Sequence, residues 1–430
     1  MNIVIIGNGI TGITCARNIR KHSSDARITV ISDESDYFFS RTALMYIYMG
    51  HMKFENTKPY EDWFWQKNRI ELIKSYVTRI DTNLKYIELD SKNTLAYDKL
   101  IIASGSKPNY SGLNRGKIKG VQGLYSLQDL EEMSRNTLDI NNAVVIGGGL
   151  IGIEMAEMLH SRKIPVTILV RERSYWNNVL PSEESKLISK HIIEHGIDIR
   201  FETEVKEFIP DEYGRIKAVK TDTDEIIRCE FAGVTIGVNP NIDFVKGSQL
   251  ETDRGILVNE YLETNIPNVY AAGDCAQFRI PKTGHPAVEQ LWYTGKLQAE
   301  ALAQTVCGNK KPYNRGIWYN SAKFFDIEYQ TYGQITSESD DYTESFYWEH
   351  TNGKLAFRVN FSKIDKCVKG FNFLGIRFRQ VIAEDWIRNK RTIGYVIENL
   401  NQGWFNPEFS KPYYHEIKQA FPQVEYNDGN

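Results

Sequence analysis

Gly7, Gly9 and Gly12 are the residues whose spacing points most directly to chemistry. With Asn8, Ile10 and Thr11 between them they form G-x-G-x-x-G, after the apolar run Ile3-Val4-Ile5-Ile6 and before the helix-compatible Ile13-Thr14-Cys15-Ala16-Arg17. So short an apolar run is a buried strand, and the pattern predicts strand, turn, helix. The first glycine permits the tight turn, the second lets the backbone approach a pyrophosphate, and the third lets helix and strand pack closely. Asp33 and Glu34 follow a second strand, Arg27-Ile28-Thr29-Val30-Ile31-Ser32, about 20 residues on, where a carboxylate should meet a ribose hydroxyl. A dinucleotide is the implied ligand.

The pattern recurs. Ala143-Val144-Val145-Ile146 runs into Gly147, Gly149 and Gly152, with Leu150, Ile151 and then Glu154 opening the next helix, and Val166-Thr167-Ile168-Leu169-Val170 is the second strand. Two loops imply two dinucleotides. At the second ribose position stand Arg171 and Arg173, which would welcome a 2'-phosphate and favour NADPH; Glu172 between them leaves NADH open.

The elements carrying these loops must come from a soluble-type chain. Its 430 residues suffice for two or three domains, and 41% hydrophobic residues with a net charge of -3 give no reason to expect nucleic acid. The first strand begins at Asn2, which leaves no room for a signal peptide and predicts a cytoplasmic protein. No apolar run approaches the roughly 20 residues of a spanning helix, so no transmembrane segment is expected, although peripheral membrane association stays open. Cys15, Cys229, Cys275, Cys307 and Cys367 show no metal-ligand spacing and read as structural thiols. The segment from Tyr37 to Gly50 is too aromatic for a solvent loop and should line something flat. A helix around Trp63 and Trp65 follows, then alternating strands at 76–81 and 85–89; Val77 in the first is counted as a cofactor-binding position. Lys99-Leu100-Ile101-Ile102 is a buried strand ending in Ala103, Ser104 and Gly105.

Five segments stand in a fixed order: the opening loop, 100–105, the second loop with Glu154, Thr235-Ile236-Gly237-Val238-Asn239-Pro240-Asn241, and 264–274 ending in Ala272-Gly273-Asp274. Together they resemble the FAD-dependent pyridine nucleotide-disulfide oxidoreductases, over about the first three quarters of the chain. The resemblance implies an α/β fold with two Rossmann-like domains: a discontinuous FAD-binding domain (1–115 and 245–313) interrupted by an NAD(P)H-binding domain (116–244), with a C-terminal α+β domain (314–430). It implies that Asp274 bonds the flavin's ribityl chain, that Asp33 and Glu34 hold the adenosine ribose, and that Glu154 lies near the meeting point of nicotinamide and flavin. Glu289 and Gln290 match a helix start facing the flavin's pyrimidine edge. A homodimer through the C-terminal domain is the family default.

The segment Phe39-Ser40-Arg41-Thr42-Ala43-Leu44 most resembles the rubredoxin and ferredoxin reductase branch, in which the arginine matching Arg41 contacts FAD. That branch often has proline at the place of Thr42 and lysine at the place of Tyr46. Related coenzyme A disulfide reductases carry their nucleophilic cysteine where Thr42 stands, and no C-x-x-x-x-C pair is present. No catalytic residue is assigned, because disulfide chemistry needs a thiolate. The expected activity is transfer of hydride from NAD(P)H to FAD and of electrons to an external acceptor such as ferredoxin or rubredoxin. A peripheral NADH:quinone reductase and a redox-sensing flavoprotein resembling apoptosis-inducing factor are the alternatives. From about Asn314 aromatics crowd in, from Trp318-Tyr319 to Trp404-Phe405, more as core than as a membrane face. Acidic residues gather from Glu338 to Glu349. If the basic stretch with Lys354, Arg358, Lys363, Lys366, Lys369, Arg377 and Arg379 forms one face beside the flavin, it would attract an acidic partner. The extension from Trp386 to Asn430 matches nothing in the family.

Overall fold

The computed structural model describes every residue except 114–115, 338–339, 406–407, 409–410 and 423–430. The domain boundary expected at residue 115, Glu338 of the acidic run and the end of the C-terminal extension lie outside the described residues. The chain forms two compact units, one of residues 1–112, 119–139 and 234–315, the other of 113–118, 140–233 and 316–430.

The first unit is built on a parallel sheet in which Val269–Ala271, Lys99–Ile102, Asn2–Ile6, Arg27–Ser32 and Ile70–Lys74 lie side by side in that order. These strands are near-continuous runs of Ile, Val and Leu because helices and loops cover both faces, as in parallel sheets generally. Strand order reverses at Asn2–Ile6: the next two strands in sequence lie on one side of it and the later ones on the other. Ligands bind at such switch points, beyond the carboxyl ends of the strands, where the Gly7 loop sits. The helix Ile10–His22 buries Ile13, Cys15, Ala16 and Ile19 and packs on the helix Trp292–Val306. The aromatic segment contributes to the core instead of lining an open surface: Phe38, Phe39 and Tyr48 are buried, and the Tyr48 hydroxyl shares a hydrogen bond of 2.7 Å with Thr137. The expected helix at Trp63 and Trp65 is a short one, Trp63–Lys67, with Trp65 buried and Trp63 exposed.

In the second unit, parallel strands Ala143–Ile146, Val166–Leu169 and Asp198–Arg200 repeat the arrangement, with Phe231–Val234 on the other side of Ala143–Ile146. An antiparallel sheet of Val205–Pro210, Ile216–Thr221 and Ile226–Arg228 is inserted between. The C-terminal part of this unit is a five-stranded antiparallel sheet, in the order Tyr319–Phe324, Ile327–Gly333, Val368–Leu374, Ala356–Ser362, Thr343–Glu349. Helices Gln380–Arg388 and Ile393–Glu398 accompany it, and the extension from Trp386 onward supplies core: Phe357, Phe371, Phe373, Phe378, Trp386 and Trp404 form one buried cluster. The aromatics are core, as their crowding predicts, with Phe405 an exposed exception.

Several cations of the basic stretch are paired with acids of the same unit. Arg358 is buried and forked onto Glu184 (2.6 and 2.8 Å) with Glu183 beside it (2.8 Å), Lys354 pairs with Asp326, Lys366 with Glu344, and Arg377 with Glu328. Antiparallel pairing sets Arg358 across from Asn372 and Tyr347, and the Tyr347 ring covers its guanidinium at 4.7 Å.

Candidate dinucleotide-binding sites

In the first unit, Gly7 has φ +109, and a Cβ there would run into the Ala103 carbonyl at the end of the neighbouring strand; a Cβ on Gly12 would run into the Gly7 carbonyl. Glycine is therefore required at both for the turn to close on strand and helix. Gly9 differs: a Cβ there would meet nothing within 4 Å. It caps the helix Ile10–His22 without any side-chain hydrogen bond, and the first turn holds no acidic residue. The first amides, those of Ile10 and Thr11 included, are left for a ligand of opposite charge. Asn8 does not point outward, because its amide donates to the Ser35 carbonyl at 2.9 Å and ties the loop to the end of the second strand.

Asp33 is exposed to solvent, and partial desolvation of its carboxyl holds it above the ordinary range, with Glu34 and Asp90 adding to the effect. Glu34 is engaged: Arg41 forks onto it at 2.8 and 2.5 Å, and the Leu127 amide donates to it at 2.8 Å. A carboxylate offers about four lone-pair sites, so Glu34 keeps capacity for a ribose hydroxyl. Arg41 is spent on Glu34, on the Tyr125 carbonyl (2.6 Å) and on the Tyr125 ring, 4.5 Å from its centroid. The Tyr125 hydroxyl in turn reaches Asp274 Oδ2 at 3.4 Å and accepts from the Ser106 amide at 3.0 Å. The Ser106 hydroxyl donates to the same Asp274 oxygen at 3.0 Å, and Gln290 donates to Ser106 at 2.9 Å. Burial raises the Asp274 carboxyl, while Ser106, Arg41 and Tyr125 oppose that.

Ala103, Ser104 and Gly105 follow the strand Lys99–Ile102; Ser104 donates to the Asn241 carbonyl at 2.7 Å, and the Gly105 carbonyl accepts from the Asn241 amide at 2.9 Å. This brings Gly237, exposed at φ +94 before the strand Val238–Pro240, to the same end of the sheet. Gly273 has φ +77, lies against Thr11 and donates to Gln298 at 2.7 Å. Glu289 and Gln290 precede the helix, which starts at Trp292 and not at Glu289. Glu289 is buried, accepting from Tyr313 at 2.7 Å, Gln298 at 3.3 Å and Arg315 at 3.3 Å. Val77 opens the strand Val77–Asp81 with its side chain in the core. The structure thus gathers Glu34, Arg41, Asp274 and Gln290 into one network beside the loops that begin at Gly7 and Ala103. It adds Tyr125 and Ser106, which sequence reasoning missed; Ser106 directly follows the recognised segment, while Tyr125 carries no local signal.

In the second unit, Gly147 has φ +120 and Gly149 caps the helix Leu150–Ser161, again with no side-chain cap and no first-turn acid. Open space lies over Gly149. The Gly149 carbonyl accepts from the buried Tyr175 hydroxyl at 2.8 Å and from the Ile153 amide at 3.2 Å, so Tyr175, another residue without a sequence signal, fixes the loop. Ile151 and Gly152 lie in the first turn, and burial pushes the Glu154 carboxyl up to about 7, with Glu157 nearby adding to it. Arg171 and Arg173 lean on Glu172 (3.1 Å) and Glu202 (3.3 Å), with side chains largely open to solvent.

The glycine cradles and the uncapped helix starts fit a dinucleotide in each unit, with Asp33 and Glu34 beyond the second strand of the first and Arg171, Glu172 and Arg173 at the matching place in the second. The family described as pyridine nucleotide-disulphide oxidoreductase matches residues 1–290, and the chain belongs to it. Among similar proteins, rhodocoxin reductase of Rhodococcus erythropolis is 31% identical over 327 residues, covering 75% of this chain and 76% of that one. The NADH-rubredoxin oxidoreductase of Clostridium acetobutylicum is 27% identical over 413 residues, 93% of this chain and 99% of that one. In fold, a chain of the covalent putidaredoxin reductase–putidaredoxin complex superposes with a TM-score of 0.79 at 22% identity, covering 98% of this chain and 99% of that one. The chain is an oxidoreductase that uses FAD and a nicotinamide dinucleotide. No helix among the described residues is long and apolar enough to cross a membrane.

Proposed function

We propose that the chain oxidises NAD(P)H through FAD and delivers electrons directly to a small redox protein of the ferredoxin or rubredoxin kind, without a protein thiol as relay. The carrying observation is the state of its thiols. Cys15, Cys229 and Cys275 are buried and Cys307 and Cys367 half-buried, and burial pushes every one up, Cys229 to about 12. Thiol exchange requires a thiolate, and Thr42 stands exposed where related enzymes place theirs. The names of the relatives, reductases of rhodocoxin and of rubredoxin, support the acceptor class.

Bound FAD supplies two-electron acceptance from the nicotinamide and one-electron release. The chain's residues bind and orient. Gly7, Gly9, Ile10, Thr11 and Gly12 would hold the pyrophosphate, Asp33 and Glu34 the ribose, and Asp274 the polyol chain, braced by Ser106 and Tyr125. Gly147 to Gly152 would hold the nicotinamide dinucleotide, with Arg171 and Arg173 at its 2' side favouring NADPH, and Glu154, whose carboxyl burial pushes up to about 7, in the helix Leu150–Ser161 that this loop opens. In this reading the first unit is the FAD part, the parallel half of the second unit the nicotinamide part, and 314–430 a C-terminal domain through which two copies dimerise in the cytoplasm.

The test is anaerobic reduction of the purified flavoprotein by NADPH and by NADH, followed by a panel of acceptors, for the wild type and for each cysteine-to-serine variant. FAD is the expected extracted flavin, NADPH the faster donor, and every folded variant should pass electrons on. A variant that keeps FAD and is reduced by NAD(P)H yet cannot discharge would overturn the thiol-free reading. Light scattering reports the dimer.

A further inference from the structure

His191 and His195 stand one helical turn apart, in the last turn and at the C-cap of the helix Ser182–Glu194, with ring centroids 4.4 Å apart. Asp326 faces them from the two-residue turn between Tyr319–Phe324 and Ile327–Gly333. One of its oxygens, Oδ1, lies 2.6 Å from His191 Nε2 and 3.4 Å from His195 Nε2. The other residue of that turn, Phe325, takes a left-handed φ of +55, uncommon for a bulky side chain, and is buried with its ring stacked on His195 at 4.4 Å.

The cluster places two imidazole rings and a carboxylate where one cation could meet all three. His195 Nδ1 is 2.9 Å from the His191 carbonyl, which can only accept, so Nδ1 carries the hydrogen. In the neutral ring, Nε2 then turns a lone pair toward a carboxylate oxygen. His191 is 1% exposed, and neither of its ring nitrogens makes an aligned hydrogen bond, despite the short approach to Asp326. Two imidazole nitrogens and one carboxylate oxygen, all within 4.8 Å of one another, are the donor set of a divalent ion such as Zn²⁺, with a water completing the tetrahedron. Lys354 donates to the second oxygen, Oδ2, at 2.9 Å, which leaves Oδ1 as the single ligand oxygen and offsets part of the charge.

We propose that His191, His195 and Asp326 bind one divalent transition-metal ion of the Zn²⁺ class, which clamps the last turn of the helix Ser182–Glu194 to the first hairpin of the antiparallel sheet. The site is structural, so flavin reduction should not depend on it. Helix and hairpin are distant in sequence, and the ion would cross-link them as a metal clip closes a long loop.

The test uses FAD-loaded protein stripped with a chelator, dialysed and titrated with ZnCl₂ against a chromophoric competitor, with bound metal counted by mass spectrometry. One Zn²⁺ per chain and a rise in Tm on binding are expected. His195→Gln and Asp326→Asn, both at partly exposed groups, should fold and bind at least about tenfold more weakly, while His22→Gln, at an exposed helix end, should bind as the wild type does. Co²⁺ in the same site should give the visible absorption of a tetrahedral ion, lost in His195→Gln. Equal affinity in all four proteins, or no ion retained above the level of His195→Gln, would overturn the proposal and leave the cluster as two histidines set against Asp326 without a metal.

Discussion

Two glycines of the opening loop do opposite jobs, and substitution separates them. Alanine at Gly12 places a methyl group on the Gly7 carbonyl and 3.3 Å from Ile5 Cγ2, so Gly12→Ala should cost about 1–3 kcal/mol of stability even in apoprotein. Alanine at Gly9 meets open space, and its φ of -72 is ordinary. Gly9→Ala should therefore unfold within about 1 kcal/mol of wild type yet retain much less FAD. Thermal unfolding of apoprotein with flavin content of the purified variants checks both. Glu154 makes a pH prediction. Its folded pKa of about 7 lies above the ordinary 4.5 because burial penalises the anion, so the stability it contributes is full below about 4.5 and lost as pH rises through 7. Glu154→Gln should match wild type at pH 4.5 and exceed it at pH 8, by on the order of 1 kcal/mol once partial exposure is discounted; chemical denaturation at the two pH values reads the difference. The loop glycines were legible in the sequence because their role lies in the backbone and is set by spacing. Tyr125 and Arg315 were not, since their partners Asp274 and Glu289 lie 149 and 26 residues away and only the fold brings them together.

Strands and helices of both nucleotide units follow from hydrophobic runs and glycines, and the element order matches the reading closely. What the sequence did not reveal is pairing between elements. The helix expected from Glu289 starts at Trp292 because Glu289 is held back by Tyr313, Gln298 and Arg315. Arg358, read as a surface cation, has a side chain only 7% exposed within an antiparallel sheet, locked to the 1% exposed Glu184 on the helix Ser182–Glu194, with Asn372 also donating to Glu184 at 3.3 Å. Nothing local distinguishes such an arginine from its exposed neighbours. Arg358→Met should cost about 3–5 kcal/mol, because it leaves Glu184 buried without its counter-charge. Pairing it with Glu184→Leu should recover most of the loss, and urea unfolding of the single and double variants gives the coupling directly. If the single variant were nearly neutral, water would be reaching Glu184 and the helix would not be anchored through this pair.

At the scale of the whole molecule, residues 140–233 and 316–430 share one compact unit, a grouping that linear composition hides because residues 234–315 of the first unit lie between them. The same grouping changes the expectation for partner binding. Lys354, Arg358, Lys366 and Arg377 each answer an acid within the second unit, and Lys369 donates to Thr343 at 2.7 Å. A paired charge is close to neutral at the roughly 10 Å over which 0.1 M salt lets fields persist, and the chain as a whole carries -3. Long-range steering of an acidic acceptor by this stretch should therefore be weak. Reduction of a ferredoxin- or rubredoxin-type acceptor, followed by stopped flow, should change by less than about threefold between low and high salt, against the decades seen where steering dominates. Reversing Lys366 and Lys369 to glutamate removes the pair with Glu344, whose side chains are exposed at 30% and 41%, so stability should fall by no more than about 1 kcal/mol and the low-salt rate should hold. A steep salt dependence that this double reversal abolishes would show instead that the stretch opens its pairs to an incoming partner, and that the acceptor is bound by charge on the antiparallel sheet.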